Sequence, residues 1–262
     1  MSYGDTKRVP MVGPPTAIVI RGIVPLRTEP HADSELVDEL QFGETVAVLG
    51  ERGDWRYVQG PDLYFGWCEA GYLDVVIDIR GSVIGVPLAI VRAAQSHDAP
   101  QVDVLPVGAP FEPDEEDSPY VRIVSQGGRW VDVADITLIS EIPHRYPTPD
   151  DLVATAEWFL GVPYLWGGTS AHGIDCSGLT QRVYFLNGVR LDRDADQQAL
   201  GGRPVDVARP GDLFFFGAER VTHTAIATGE RTFIHAPQSG KSVQRGDLAD
   251  MSRLRATRRY LP

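Results

Sequence analysis

The chain has 262 residues and a formal net charge of −12. That acidity opposes phosphate backbones, anionic wall polymers and lipid headgroups, so neither nucleic acid nor membrane is expected as a partner; small soluble substrates fit better. With 43% hydrophobic and 23% charged residues the composition is that of a globular protein, long enough for two or three small domains. Its two cysteines, Cys68 and Cys176, supply neither a disulfide framework nor a zinc-ligand spacing.

The first stretch, MSYGDTKRVPMVGPPTAIVI, carries charges, prolines and glycines where a signal peptide needs an unbroken apolar core. A cytoplasmic protein is therefore expected, with residues 1–15 a loose tail or strap. From 16 to 141 the signals are short apolar runs broken by Gly, Pro and Asp, such as TVAVLG, WRYVQG, YVRIVSQGGRW and ITLIS. Rich in β-branched and aromatic residues, they read as short strands of small β-barrels. There is also an internal repeat. VDELQFGETV, from Val37, aligns with VDVLPVGAPF, 65 residues later from Val102. Leu40 then meets Leu105, Gly43 meets Gly108, and Trp55 meets Tyr120. Two related units, 16–78 and 79–141, follow. The first resembles a bacterial SH3 (SH3b) domain in PLRTEPHADSELVDELQFGETVAVLGERGDWRYVQ and the later FGWCEAGYL. Cys68 falls at an apolar position of that pattern and reads as core.

ISEIPHRYPTPDD reads as a linker into the third domain, 142–262, because Pro143, Pro147 and Pro149 disfavour regular structure. Thr148 predicts a helix N-cap, with Pro149 first in the helix and Asp150 and Asp151 in its first turn, which accounts for those carboxylates without an acid/base role. Leu152, Val153, Ala156, Phe159 and Leu160 line a helical face, and Gly161 and Pro163 end it. A second helix starts at Cys176, with Leu179, Val183 and Leu186 on one face and Gly188 as its stop. DLFFFG, HTAIATG, TFIHAP and LRATRRYLP then read as strands, so the domain is α+β with helices first. In the last run Arg253, Arg255, Arg258 and Arg259 are expected on a solvated strand face. His172 is assigned to a turn.

A cysteine attacks as thiolate, and a helix N-terminus lowers its ordinary pKa of about 8.5. Cys176 stands at such a terminus, and Ser177 and Gly178 leave room for a substrate carbonyl. A nucleophile needs a base, and the base an orienter. His223 and His235 lie on consecutive strand-like runs joined by the turn TGER. Twelve residues apart, they can be cross-strand neighbours in a hairpin.

PYLWGGTSAHGIDCSGLTQRVY, RPGDLFFF, THTAIATG and TFIHAP, in that order, resemble the NlpC/P60 cysteine peptidases, papain-like hydrolases of bacterial cell-wall peptides. The resemblance implies Cys176 as nucleophile, His223 as general base, His235 as orienting residue and Tyr164 beside the nucleophile. Metal and organic cofactors are not implied. Members with two SH3b domains and no leader resemble recycling enzymes that cut the γ-D-glutamyl–L-diamino acid bond of soluble murein tripeptides or tetrapeptides with a free N-terminal L-Ala. On that likeness Asp175, Glu44 and Tyr64 would receive the amine and close the cleft, with Ser177 at the substrate. The chain departs from that group at Arg193-Asp194-Ala195, where an R-D-S run is usual, so a substrate-contacting hydroxyl is missing. The alternatives are a secreted wall hydrolase whose SH3b domains bind intact peptidoglycan, and a non-catalytic murein-peptide-binding protein.

Overall fold

The computed structural model describes residues 13–75, 82–111, 118–123, 129–138 and 147–262. Most of the expected N-terminal strap and linker, and parts of VVIDIRG and VSQGG, lie outside them.

The first unit forms a single seven-stranded antiparallel sheet from Thr16–Val19 through Leu73–Val75. Leu36–Gln41 and Leu73–Val75 are its two end strands and do not pair with each other. The expectation of a closed barrel is therefore corrected to an open sheet. Alternation puts Val24, Leu26, Leu40, Val58 and Cys68 into one buried cluster. AIVIRGIV is two strands, broken where Gly22 closes on the Val104 carbonyl of the second unit.

The second unit repeats the first's pairing. Val24 opposes Leu40 in the first, and Ala89 opposes Leu105 in the second. Arg27 pairs with Trp67, and Arg92 with Trp130. In each a short 3-10 turn, Ala70–Tyr72 or Val133–Asp135, leads into the last strand, Leu73–Val75 or Ile136–Leu138. Among its described residues the second unit divides into a four-stranded and a three-stranded sheet, with no closed barrel.

The two glycines of the repeat, Gly43 and Gly108, have φ of 83° and 81°, a left-handed turn that disfavours a side chain. Gly43 packs on Pro110 and Gly108 on Leu186. The residue before each turn enters the next domain's core: Phe42 joins the second unit's cluster, and Val107 joins that of the C-terminal domain. The three domains interlock through the same turn used twice.

In the C-terminal domain α1 is Pro149–Glu157, capped reciprocally by Thr148 and Asp151. It ends before Phe159, which is buried in the following turn. Helix α2 is Cys176–Leu186 and α3 is Ala195–Gln198. The six-stranded antiparallel sheet runs Arg203–Pro204, Leu254–Arg259, Leu213–Phe216, His223–Ala227, Thr232–His235, Gln244–Asp247 in space. One correction concerns its arginines. Arg259 is buried and forks onto Asp212, both bonds 2.7 Å, instead of facing solvent. Arg258 is half-buried and donates to the Ala199 carbonyl. No helix among the described residues is long and apolar enough to cross a membrane.

Candidate active site

Asp175 caps α2, taking the Gly178 N–H at 2.7 Å. Gly178 has to be glycine, because a Cβ there would sit 2.2 Å from the Gly168 carbonyl oxygen. That close approach seats the helix start against the Leu165–Gly168 turn and leaves Cys176 in the first turn.

The His223–Ala227 strand packs on α2. The sulfur of Cys176 lies against the backbone N–H of Thr224, one residue past His223, and against that of Ser177. His223 Nε2 is 2.8 Å from His235 Nδ1. The hairpin register Ile226↔Ile234 sets His235 level with Ala225, so the imidazoles meet diagonally and not as a directly opposed pair. Phe216 and Phe233 pack on the two rings. His223 thus uses one nitrogen on His235 and keeps Nδ1 for another partner.

Burial dominates the electrostatics. It pushes the Cys176 thiol up to about 12, with Asp175 adding to the rise, while the Thr224 and Ser177 N–H groups and Arg193 act the other way. It pushes His223 down to about 4, reinforced by His235 and opposed by Asp175. His235 also falls to about 4, from burial and Lys241. Desolvation and the N–H groups at the helix start therefore act in opposite directions on the Cys176 thiol. Tyr164, pinned through its N–H to the Lys241 carbonyl at 2.8 Å, is near enough to Cys176 for the two to interact electrically.

The expected amine-binding residues separate. Both oxygens of Asp175 are engaged: Oδ1 takes Gly178 N–H, Ser177 Oγ and Arg193, and Oδ2 takes Gly167 N–H and Arg193. Five donors fill a carboxylate and leave no edge for an ammonium. Ser177 spends its hydroxyl on Asp175 and Arg193. Glu44 takes the Gln41 N–H and faces Arg182, midway along α2. Tyr64 does reach the peptidase side, donating to Asp194 Oδ2 at 3.2 Å.

Sequence reasoning missed the residue at the junction of these parts. Arg193, 2% exposed, holds Asp175 at 2.7 Å and Asp38 of the first β unit at 2.7 Å. Beside it Glu39 accepts the Thr169 N–H at 2.9 Å. The Arg193-Asp194 dipeptide was the available signal; Asp38, 155 residues away, carried none.

The NlpC/P60 family pattern matches residues 161–258, and the bacterial SH3 domain pattern matches 24–74. The gamma-D-glutamyl-L-lysine dipeptidyl-peptidase of Bacillus subtilis (strain 168) is 31% identical over 233 residues, covering 81% of this chain and 76% of its own length. The chain belongs to the NlpC/P60 family. Dipeptidyl-peptidase 6 of Lysinibacillus sphaericus is 30% identical, covering 88% of this chain and 91% of its own. The crystal structure of an NlpC/P60 family protein from Bacillus cereus ATCC 10987 superposes with a TM-score of 0.81 at 25% identity, over 94% of this chain and all of that one. As an NlpC/P60 protein with an SH3b domain, this chain is an enzyme, a cysteine peptidase.

Proposed function

We propose that the chain hydrolyses the bond after γ-D-glutamate in soluble murein peptides with a free N-terminal L-Ala, such as L-Ala-γ-D-Glu-diamino acid, and that the 79–141 unit is a diverged second SH3b domain. Two relatives that match across all three domains are named dipeptidyl-peptidases, one of them for gamma-D-glutamyl-L-lysine. The observation that carries the chemistry is the His223 Nε2–His235 Nδ1 bond at the strand whose next N–H meets Cys176.

In this reading His223 Nδ1 takes the thiol proton as sulfur attacks the γ-carbonyl carbon. The resulting imidazolium keeps Nε2–H on the Nδ1 lone pair of His235, which fixes the ring and the tautomer. The N–H of Cys176, one of the unpaired donors of the first helical turn, takes the developing oxyanion beside Tyr164. His223 returns the proton to the departing amine, leaving a thioester on Cys176. Water, deprotonated by His223, attacks that thioester, and sulfur leaves with the proton.

Asp194, half-buried and steadied by the Tyr64 hydroxyl, replaces the saturated Asp175 as receiver of the substrate ammonium. The pair bridges the peptidase domain and the first β unit, so an extended chain beyond the dipeptide would collide there. The test compares L-Ala-γ-D-Glu-diaminopimelate with its N-acetyl form. Cleavage of the free peptide alone is expected, abolished by Cys176→Ala. Equal cleavage of both forms overturns amine recognition, and full activity in Cys176→Ala overturns the nucleophile.

A further inference from the structure

Strand Leu36–Gln41 lies at one edge of the first unit's sheet, where it buries three polar side chains. Asp38, Glu39 and Gln41 are 2%, 8% and 3% exposed. Taking such groups out of water costs free energy unless each finds a partner. The fold of the unit does not call for all three. The matching positions of the second unit hold Asp103, Val104 and Pro106, and they pair in the same register.

The partners of these side chains lie in the segment ahead of Cys176 and in Arg193. Glu39 takes the Thr169 N–H at 2.9 Å, and Gln41 donates to the Thr169 carbonyl at 3.2 Å. Trp166 donates its indole N–H to Glu35 at 2.9 Å. Gly167, with a φ of 76°, passes so near that a Cβ would sit 2.5 Å from the Leu36 carbonyl oxygen. Its own N–H reaches Asp175, the cap of α2, at 2.9 Å. Asp38 reaches the same cap through Arg193. The guanidinium donates Nε to Asp38 and one terminal nitrogen to Asp175, both at 2.7 Å. The other terminal nitrogen donates to Asp175 at 3.1 Å and to Ser177 Oγ at 3.0 Å. A planar fork held at all three nitrogens has one orientation, so the Asp175 carboxylate takes its bearing from the first unit.

We infer that Asp38 is a positioning residue for the reaction at Cys176. Its burial closes it to substrate. Through Arg193 and Asp175 it sets the first turn of α2, and with that turn the sulfur and the N–H of Cys176. The first β unit is in this way part of the catalytic apparatus, and not only a wall of the cleft. The inference rests on the mechanism proposed above.

The test compares Asp38→Ala and Asp38→Asn with Asp103→Ala, the same repeat position in the second unit, in the full chain and below the melting temperature of each variant. In Asp38→Ala, kcat for free-amine L-Ala-γ-D-Glu-diaminopimelate should fall at least about tenfold with KM within about twofold, because a shift of about 1 Å can cost about a hundredfold. Asp38→Asn keeps an oxygen for Arg193 Nε and should restore kcat to within about threefold of wild type. Asp103→Ala also breaks an ion pair and should leave kcat unchanged. A merely structural role would lower the melting temperature in both alanine variants and move kcat in neither. Wild-type kcat in Asp38→Ala, a rise in KM alone, or equal loss in Asp38→Asn and Asp38→Ala overturns the inference. Should Asp38→Ala not fold, Arg193→Lys keeps the charge and loses the fork. A fall in kcat of at least about tenfold there supports positioning, and wild-type kcat overturns it. Hydrogen exchange on the Cys176→Ala protein needs no turnover. Adding Asp38→Ala, or Arg193→Lys in its place, should raise exchange over 166–178, and adding Asp103→Ala should not. Unchanged exchange overturns the positioning, whereas absence of turnover by the wild type strikes the substrate reading alone.

Discussion

The two β units share a pairing scheme and a turn, yet among the described residues only the first reaches the peptidase centre through charge. The contrast is sharpest at one repeat position. Asp38 of the first unit bonds Arg193, which in turn holds the cap of α2. Asp103, its counterpart, turns back to Arg129 of its own unit at 3.2 Å and to Arg21 at 3.9 Å. Glu39 and Gln41 bond Thr169, whereas their counterparts are Val104 and Pro106. A duplicated scaffold thus supplies position twice and polar contact with the site once.

Replacing the two arginines tests that contrast with the largest expected effect. Arg193→Leu leaves Asp38 and Asp175 buried without a counter-charge, at about 3–5 kcal/mol for a broken buried pair. Thermal or urea unfolding should show it, together with loss of most peptidase activity. Arg129→Leu removes a more exposed partner, 23% against 2% side-chain exposure, and should cost under about 1 kcal/mol with activity kept. Equal costs would mean the ion cluster at α2 is no more than a surface pair.

The shared turn offers the next comparison. Phe42→Ala empties a site in the second unit's core and should cost about 3–5 kcal/mol. Val107→Ala empties a smaller one in the peptidase core and should cost roughly 2 kcal/mol. Hydrogen exchange separates them: Phe42→Ala should raise exchange in the Leu88–Arg92 and Tyr120–Ile123 strands, Val107→Ala in α2. The same segments loosening in both variants would show that the hand-over from domain to domain is not directional.

Among the described residues of the second unit none matches Tyr64 in bonding Asp194. Tyr64→Phe removes one hydrogen bond, about 0.5–1.5 kcal/mol, so KM for the free-amine tripeptide should rise roughly 2- to 12-fold with kcat little changed. A fall in kcat instead would move Tyr64 from amine recognition to the reacting bond.

How much of this was legible in the sequence follows the range of each interaction. Local devices were readable: the Thr148 cap, the stop at Gly188, and the strand runs that became Leu213–Phe216 and His223–Ala227. The repeat was readable too, because the shared pairing imposes the same apolar spacing twice. Residue types around Cys176 marked the chemistry, but not the diagonal meeting of His223 and His235, which a one-residue difference in hairpin centre decides. Contacts across long spans left no trace. Asp38 and Arg193 are 155 residues apart, and nothing near either predicts that the other neutralises it. For the same reason Arg259 looked solvated until Asp212 folded onto it.

The smallest effect sets the acids of the first unit against the histidines of the third. Burial raises Glu39 and Glu44 to about 7, while it lowers His223 and His235 to about 4. Between the ordinary glutamate value near 4.5 and pH 7 the folded chain holds more protons on the glutamates than the unfolded chain does, so their contribution to stability falls as pH rises. Between pH 4 and 6.5 the unfolded chain holds more protons on the histidines, so theirs rises with pH. The two trends oppose each other over most of one window. Glu44→Gln removes one falling contribution, and the melting temperature of that variant should climb more steeply with pH, between 4.5 and 6.5, than that of the wild type. A parallel pair of curves would mean that Glu44 is as solvated folded as unfolded.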